Sequence, residues 1–231
     1  FLNAGAEPGN HLLRAHLPDG AAERRIDEIF AEVGRHADQL DWLVFPGCRP
    51  ADLGRRLEDR GLAGGPGGTW MLADLRTLPA TPSQPAGFRI EQIRGAEELR
   101  VWSRLSAAGF GQDTQIYEDA YARHGFGPAA SSLHYIGYLD DEPATSSTLL
   151  LAGGIAGIFD VSTPPRFRGR GLGGAITRAM MREARTRGYH DAWIWSSEMG
   201  KRVYECAGFT AVDLGVREYR WHRGEVRTAA P

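Results

Sequence analysis

The sequence is short of several things, and each shortage closes off a class of protein. Only two cysteines occur, Cys48 and Cys206. They argue against a disulfide scaffold and against a cysteine-based zinc site, and they fit a reducing cytoplasm. No apolar run reaches the ~18 uncharged residues that a membrane-crossing helix requires. An excess of one charge is missing too, since 27 Lys and Arg against 29 Asp and Glu leave a formal net charge of −2. A dedicated nucleic-acid binder would carry a basic surplus to meet phosphate. Lysine is almost absent: Lys201 is the only one, and arginine carries the remaining positive charge, a bias that reflects codon usage in a GC-rich genome. The chain opens at Phe1 with neither an initiator Met nor a signal-peptide pattern, as a trimmed chain would.

What is present is an ordinary globular composition, 42% hydrophobic and 24% charged over 231 residues. That length allows one large or two small domains. The seam Leu78-Pro-Ala-Thr-Pro-Ser-Gln-Pro-Ala-Gly87 has three prolines, which neither continue a helix nor pair as a central strand. It divides the chain into residues 1–80 and 88–222. Before the seam, periodicity predicts strands at 11–17, 42–45 and 69–75, with helices at 21–37 and 50–60. After it, strands are predicted at 88–93, 134–139, 145–151, 155–161, 192–195, 209–214 and 217–221. Helices are predicted at 96–107, 116–123, 171–187 and 201–206. Mostly antiparallel strands with one β–helix–β unit indicate an α+β fold with a mixed sheet flanked by helices.

A weak internal repeat is visible. Asp41-Trp-Leu-Val-Phe…Leu57-Glu-Asp-Arg-Gly-Leu62 aligns with Asp191-Ala-Trp-Ile-Trp…Tyr204-Glu-Cys-Ala-Gly-Phe209, and the preceding helices also correspond. The first copy has Leu57 where the second has Tyr204. It also has Leu17-Pro-Asp-Gly20, with Asp19 and Glu23, where the second has a glycine-rich loop.

That loop is the strongest chemical signal. In Ile158-Phe-Asp-Val-Ser-Thr-Pro-Pro-Arg-Phe-Arg-Gly-Arg-Gly-Leu-Gly-Gly-Ala-Ile176 a strand ends, and glycines 169, 171, 173 and 174 open an amphipathic helix. Bare N–H groups at a helix N-terminus suit a pyrophosphate, and Arg166, Arg168 and Arg170 add positive charge. Gly169-x-Gly-x-x-Gly174 also matches the dinucleotide fingerprint, yet the 57 residues after Gly174 are too few for the rest of a doubly wound sheet. A P-loop is excluded because no Gly-Lys-Ser/Thr follows.

With these residues in view, the sequence resembles the GNAT superfamily of acyl-CoA-dependent N-acyltransferases over residues 88–222. Arg168-Gly-Arg-Gly-Leu-Gly173 fits that family's Arg/Gln-x-x-Gly-x-Gly/Ala loop, and Val161-Ser-Thr163 fits the strand end before it. Ser197-Glu-Met-Gly-Lys-Arg-Val-Tyr204…Gly208-Phe209 fits the later Asn-x-x-Ala-x-x-x-Tyr…Gly-Phe segment, with Ser197 and Gly200 replacing the usual Asn and Ala. The first half resembles a degenerate second copy, as in tandem GNAT proteins.

The resemblance implies acetyl-CoA as co-substrate, no metal, and a small-molecule amine as acceptor for a monomer or homodimer. It implies that Gly169, Arg170, Gly171, Leu172, Gly173 and Gly174 cradle the pyrophosphate. Arg168, Ser162, Thr163 and Ser197 would contribute to cofactor binding, and the Val161 N–H would polarise the thioester carbonyl. Tyr204 would be the catalytic acid, since a phenol stays protonated at neutral pH. The base is open among Asp160, Glu198, His134 and water. Two rival readings remain, a non-catalytic acyl-CoA-binding module and a nicotinamide-dependent oxidoreductase. Trp193 and Trp195 are expected to pack against neighbouring layers, and Cys206 to fill the core.

Overall fold

The computed structural model describes residues 10–78, 84–110, 114, 118, 121–122 and 130–224. The helix expected over 116–123 falls largely outside them, although Glu118, Tyr121 and Ala122 are helical; residues 79–83 of the proline-rich seam also lie outside. The α+β reading holds. The chain forms two compact units, one of residues 69–212 and one of residues 1–68 with 213–231.

The larger unit is a seven-stranded sheet of β4 (Thr69–Asp74), β5 (Phe88–Gln92), β6 (Ser132–Leu139), β7 (Glu142–Ala152), β8 (Ile155–Ser162), β9 (Asp191–Ser196) and β10 (Thr210–Val212), in the order β10-β4-β9-β8-β7-β6-β5. Every neighbour is antiparallel except β8 and β9. Side chains alternate between the two faces. On one, Leu133, Leu149, Ile158 and Ile194 pack against Leu172, Ile176, Met180 and Met181 of α4 (Leu172–Thr186). On the other, Ile136 packs against Leu99, Trp102 and Leu105 of α3 (Ala96–Phe110). Leu172 is 1% exposed and anchors the first turn of α4, so truncating it to Ala costs ~2–5 kcal/mol. The helix α5 (Glu198–Ala207) follows β9 directly and ends at Gly208, which takes φ +105°.

The smaller unit is a four-stranded sheet, β1 (His11–Leu13), β2 (Gln39–Val44), β11 (Arg217–His222) and β3 (Gly64–Pro66), in that order. The helices α1 (Ala22–Val33) and α2 (Leu53–Glu58) bury Ile26, Phe30, Val33, Leu53 and Leu57 with Trp42, Tyr219 and Trp221. β1 and β2 are parallel, as β8 and β9 are. The strand orders therefore correspond: β1-β2-β11-β3 reads as β8-β9-β4-β10 does.

The correspondence explains why the chain does not divide at the proline-rich seam. Thr69–Asp74, expected to close the first half, lies between β9 and β10. Arg217–His222, expected to close the second, lies between β2 and β3. Each half supplies one strand to the other's sheet, because backbone pairing rather than sequence adjacency decides where a strand belongs. Strand β3, Gly-Gly-Pro, was not predicted, as its residues have low strand propensity. It forms because Arg217 to Tyr219 pair across from it.

Candidate active site

β8 and β9 touch for only two residue pairs, Ala156 with Ala192 and Gly157 with Trp193. Beyond these the strands part, and a cleft of ≈ 320 Å³ opens between their ends, lined by residues 158–161 and 194–197 with Phe110 and Tyr204. The divergence has a local cause. Phe159 pairs with Thr148 and Ser162 with Ser146, so Asp160 and Val161 together face Ser147. Asp160 takes φ +51°. A bulge of this kind bends its strand and removes a residue from the ladder.

Side-chain hydroxyls from β7 hold the bend. Ser146 donates to the Asp160 carbonyl at 3.1 Å and Thr145 to the Ser162 carbonyl at 2.7 Å. Ser162 donates its own hydroxyl to the Leu105 carbonyl at 2.7 Å. A Cβ at Gly109 would lie 1.8 Å from the Ser162 hydroxyl oxygen, so α3 can come this close only with glycine there.

After β8, Pro164 and a 3₁₀ turn at Pro165–Phe167 lead into the glycine loop. Gly169 and Gly171 both take φ +77°, a region that glycine enters without steric cost. The first bond of α4 runs from the Ala175 N–H to the Gly171 carbonyl at 3.0 Å. The N–H groups of residues 169–174 therefore have no acceptor among the described residues. This is a cradle of bare donors at the positive end of a 15-residue helix with no acidic residue in its first turn. Arg178 reaches back to it, with Nη1 3.2 Å from where a Gly174 Cβ would stand.

Tyr204 joins the same cleft from α5 and is 8% exposed. Its ring lies over Gly200, where a Cβ would come within 2.7 Å of the ring carbon Cε2. Glycine in place of the usual alanine thus makes room for the tyrosine. Burial pushes the phenol up to about 12, which leaves it a proton donor throughout the neutral range.

With this geometry in place, known proteins can be compared. The FR47-like protein family matches residues 135–221. A GCN5-related N-acetyltransferase from Kribbella flavida superposes with a TM-score of 0.66 at 18% identity, over 93% of this chain and 81% of that one. One from Sphaerobacter thermophilus gives 0.62 at 15% identity, over 86% and 66%. A tandem GNAT protein from the clavulanic acid biosynthesis pathway gives 0.58 at 16%, over 84% and 68%. No curated protein matches in sequence. The chain has the fold of GCN5-related N-acetyltransferases, and residues 135–221 are similar to the FR47-like family.

Within this GNAT fold, the predicted residues sort by what their side chains do. Val161 and Tyr204 line the cleft, and the loop lies against Val203, whose Cγ1 is 3.9 and 3.7 Å from where Cβ atoms of Gly173 and Gly174 would stand. The Thr163 hydroxyl lies 3.8 Å from where a Gly173 Cβ would stand. Others turn elsewhere. Ser162 is committed to α3, and Arg168 donates to the main-chain carbonyls of Thr163 at 2.9 Å and Gly109 at 3.4 Å. Arg166 pairs with Glu142 at 2.5 Å. Ser197 lines the cleft, but its hydroxyl caps α5 by accepting the Gly200 N–H at 3.2 Å. Leu172 faces the core, leaving only its main chain to the cradle.

Two of the three residues considered for the base are connected. Asp160 accepts from the Tyr121 hydroxyl at 2.8 Å, and Thr148, hydrogen-bonded to Asp160, also meets His134 Nδ1 at 2.8 Å. Burial pushes the Asp160 carboxyl up, while the bonds from Thr148 and Tyr121 pull it back in part. Glu198 is exposed in the first turn of α5.

Sequence reasoning missed Tyr121 and the run Thr145-Ser-Ser-Thr148, whose members are at most 2% exposed. Four consecutive hydroxyl residues inside a central strand were the available signal. One expectation needs correction. Cys206 is exposed rather than a core filler, because Tyr204 and Ala207 take the inward positions of α5. Trp193 and Trp195 are half-buried and stack on Trp70 of the adjoining strand.

Proposed function

We propose that the chain is an acyl-CoA-dependent N-acyltransferase that moves an acetyl group from acetyl-CoA to the primary amine of a small molecule. The observation that carries this reading is the run of bare N–H groups at 169–174 beside a cleft that holds Tyr204. Acetyl-CoA supplies an activated thioester and an anionic pyrophosphate, and the residues suit both. The cradle offers donors and a helix dipole to the phosphates. The Val161 N–H, at the bulge, donates in this reading to a carbonyl oxygen that gains negative charge. Tyr204 donates its hydroxyl proton to the departing sulfur. Asp160 is the base in this reading, because a carboxyl raised above its usual range is better matched to accepting a proton near neutral pH.

Residues 1–80 are, on the same reading, a copy that no longer binds acyl-CoA. The test is thermal. Acetyl-CoA at ~100 times its dissociation constant adds ~2.7 kcal/mol of stability and raises Tm by several degrees, whereas NAD leaves it unchanged. A shift with NAD alone would point to an oxidoreductase. Binding of acetyl-CoA without turnover across an amine panel would leave a non-catalytic acyl-CoA module.

A further inference from the structure

The cleft borders a feature that the acetyl-transfer reading does not use. Trp70 on β4 lies between Trp193 and Trp195 of β9, with ring centroids 5.2 and 5.3 Å away and interplanar angles of 21° and 7°. Phe159 of β8 meets Trp193 edge-on at 4.9 Å and 89°. The register makes the stack: Trp70 stands directly opposite Trp195, and Trp193 sits two residues earlier on the same face. All four side chains are half-buried, and none belongs to a hydrophobic core cluster. Stacked aromatic groups of this kind give a binding surface rigid apolar area at low entropic cost.

Two of the four, Phe159 and Trp195, line the cleft, so the aromatic platform is continuous with it. The cleft's own charge is acidic. Asp160 is its single ionisable carboxyl, and no Lys, Arg or His is among its described lining residues. With the cradle filled by the cofactor's pyrophosphate, a phosphorylated or carboxylated acceptor would find no cationic partner among the described lining residues. A protonated amine would find a carboxylate and aromatic faces, which attract cations through their quadrupole.

From this we infer that the acceptor is an aralkylamine: a primary amine, cationic before reaction, on a flat aromatic body that packs against Trp195 and Phe159. This deepens the acyltransferase reading and rests on it. The carboxyl end of the cleft takes the amine, and the tryptophan stack takes the ring.

The experiment titrates 2-phenylethylamine, n-butylamine and glucosamine 6-phosphate against the full chain, reading tryptophan fluorescence and calorimetric heat. Coenzyme A without an acetyl group is present at saturation in this arm, so that the cradle is filled and no turnover occurs. The expected result is quenching by 2-phenylethylamine with at least tenfold tighter binding than n-butylamine, and no binding of the sugar phosphate. Trp195→Leu should weaken 2-phenylethylamine about tenfold and raise its KM with little change in kcat; Trp195→Phe should recover most of the loss. The acetyl-CoA thermal shift of each variant checks that it is folded. Equal binding of the two amines, or a preference for the sugar phosphate, would overturn the aralkylamine assignment, as would a folded Trp195→Leu with unaltered affinity. Failure of acetyl-CoA to bind the wild-type chain would instead strike the acyltransferase reading, so the two failures are separable.

Discussion

The N-termini of α1 and α4 begin equivalent β–helix–β units, and they treat the helix dipole in opposite ways. At α1 the chain answers it with its own carboxylate. Glu23 sits in the first turn and is paired with Arg56 and Arg60. Its carboxyl is held below the usual range, first by the hydrogen bond from Arg60. Arg60 is 1% exposed and also bonds Asp27 at 2.9 Å. At α4 the first turn has no acid, and the N–H groups of 169–174 stay without an acceptor among the described residues. The same supersecondary unit thus yields a closed ion-pair cluster in one place and an open anion cradle in the other. A handful of side chains, not the fold, separates them.

The largest effect expected from breaking this contrast is chemical, because only the second unit has a tyrosine where the first has Leu57. Tyr204→Phe keeps the ring and its contact with Phe209, so acetyl-CoA affinity should persist while the transfer rate falls ~10²–10⁴-fold. A rate equal to wild type, under conditions where chemistry is limiting, would return Tyr204 to a packing role. Because its phenol is pushed up to about 12, no alkaline decline in rate below pH 10 should trace to it.

Asp160 gives the next effect, with a definite sign. Its carboxyl is raised by burial, so folding favours the protonated form. Its contribution to stability is greatest below the unfolded value and is lost as pH rises through the folded one. Asp160→Asn should therefore keep or raise Tm at pH 7.5, yet slow transfer and abolish the acid limb of the kcat/KM profile. A lowered Tm with unchanged kinetics would make Asp160 a structural group.

Gly200→Ala is milder. The added methyl presses on the Tyr204 ring, and a displaced catalytic group costs up to ~10²-fold in rate. A steady-state assay with intact acetyl-CoA binding checks it.

The smallest effect lies in the first unit. Glu23→Gln should lower Tm by only about 1–3 °C at pH 7, since the carboxylate is half-exposed. The depressed carboxyl adds stability above its unfolded value and loses it on acidification, so the difference from wild type should vanish near pH 3. Acetyl-CoA affinity should not change.

Much of this contrast was legible in the sequence. The positive-φ glycines of the 169–174 loop and the acid at Glu23 could be read from the chain because each acts locally, through φ freedom or a charge. The placement of β4 and β11 did not read, because strand pairing is non-local and the proline-rich seam pointed to a different boundary. Nor did the side-chain hydrogen bonds of Ser162, Arg168 and Ser197. Each has a side chain suited to a phosphate, but a main-chain carbonyl or N–H lies nearer, and only the three-dimensional neighbourhood decides between them. The Thr145–Thr148 hydroxyls escaped notice for the same reason, as their partners are carbonyls exposed by a bulge on the adjoining strand.

The most direct test of the account is a calorimetric titration of acetyl-CoA into the wild-type chain and Gly173→Glu. A Cβ at Gly173 meets only ordinary contacts at 3.8 and 3.9 Å, so the variant should fold while its carboxylate stands in the cradle. The account predicts one acetyl-CoA per wild-type chain and none for folded Gly173→Glu. Two per chain, or wild-type affinity in the variant, would contradict it.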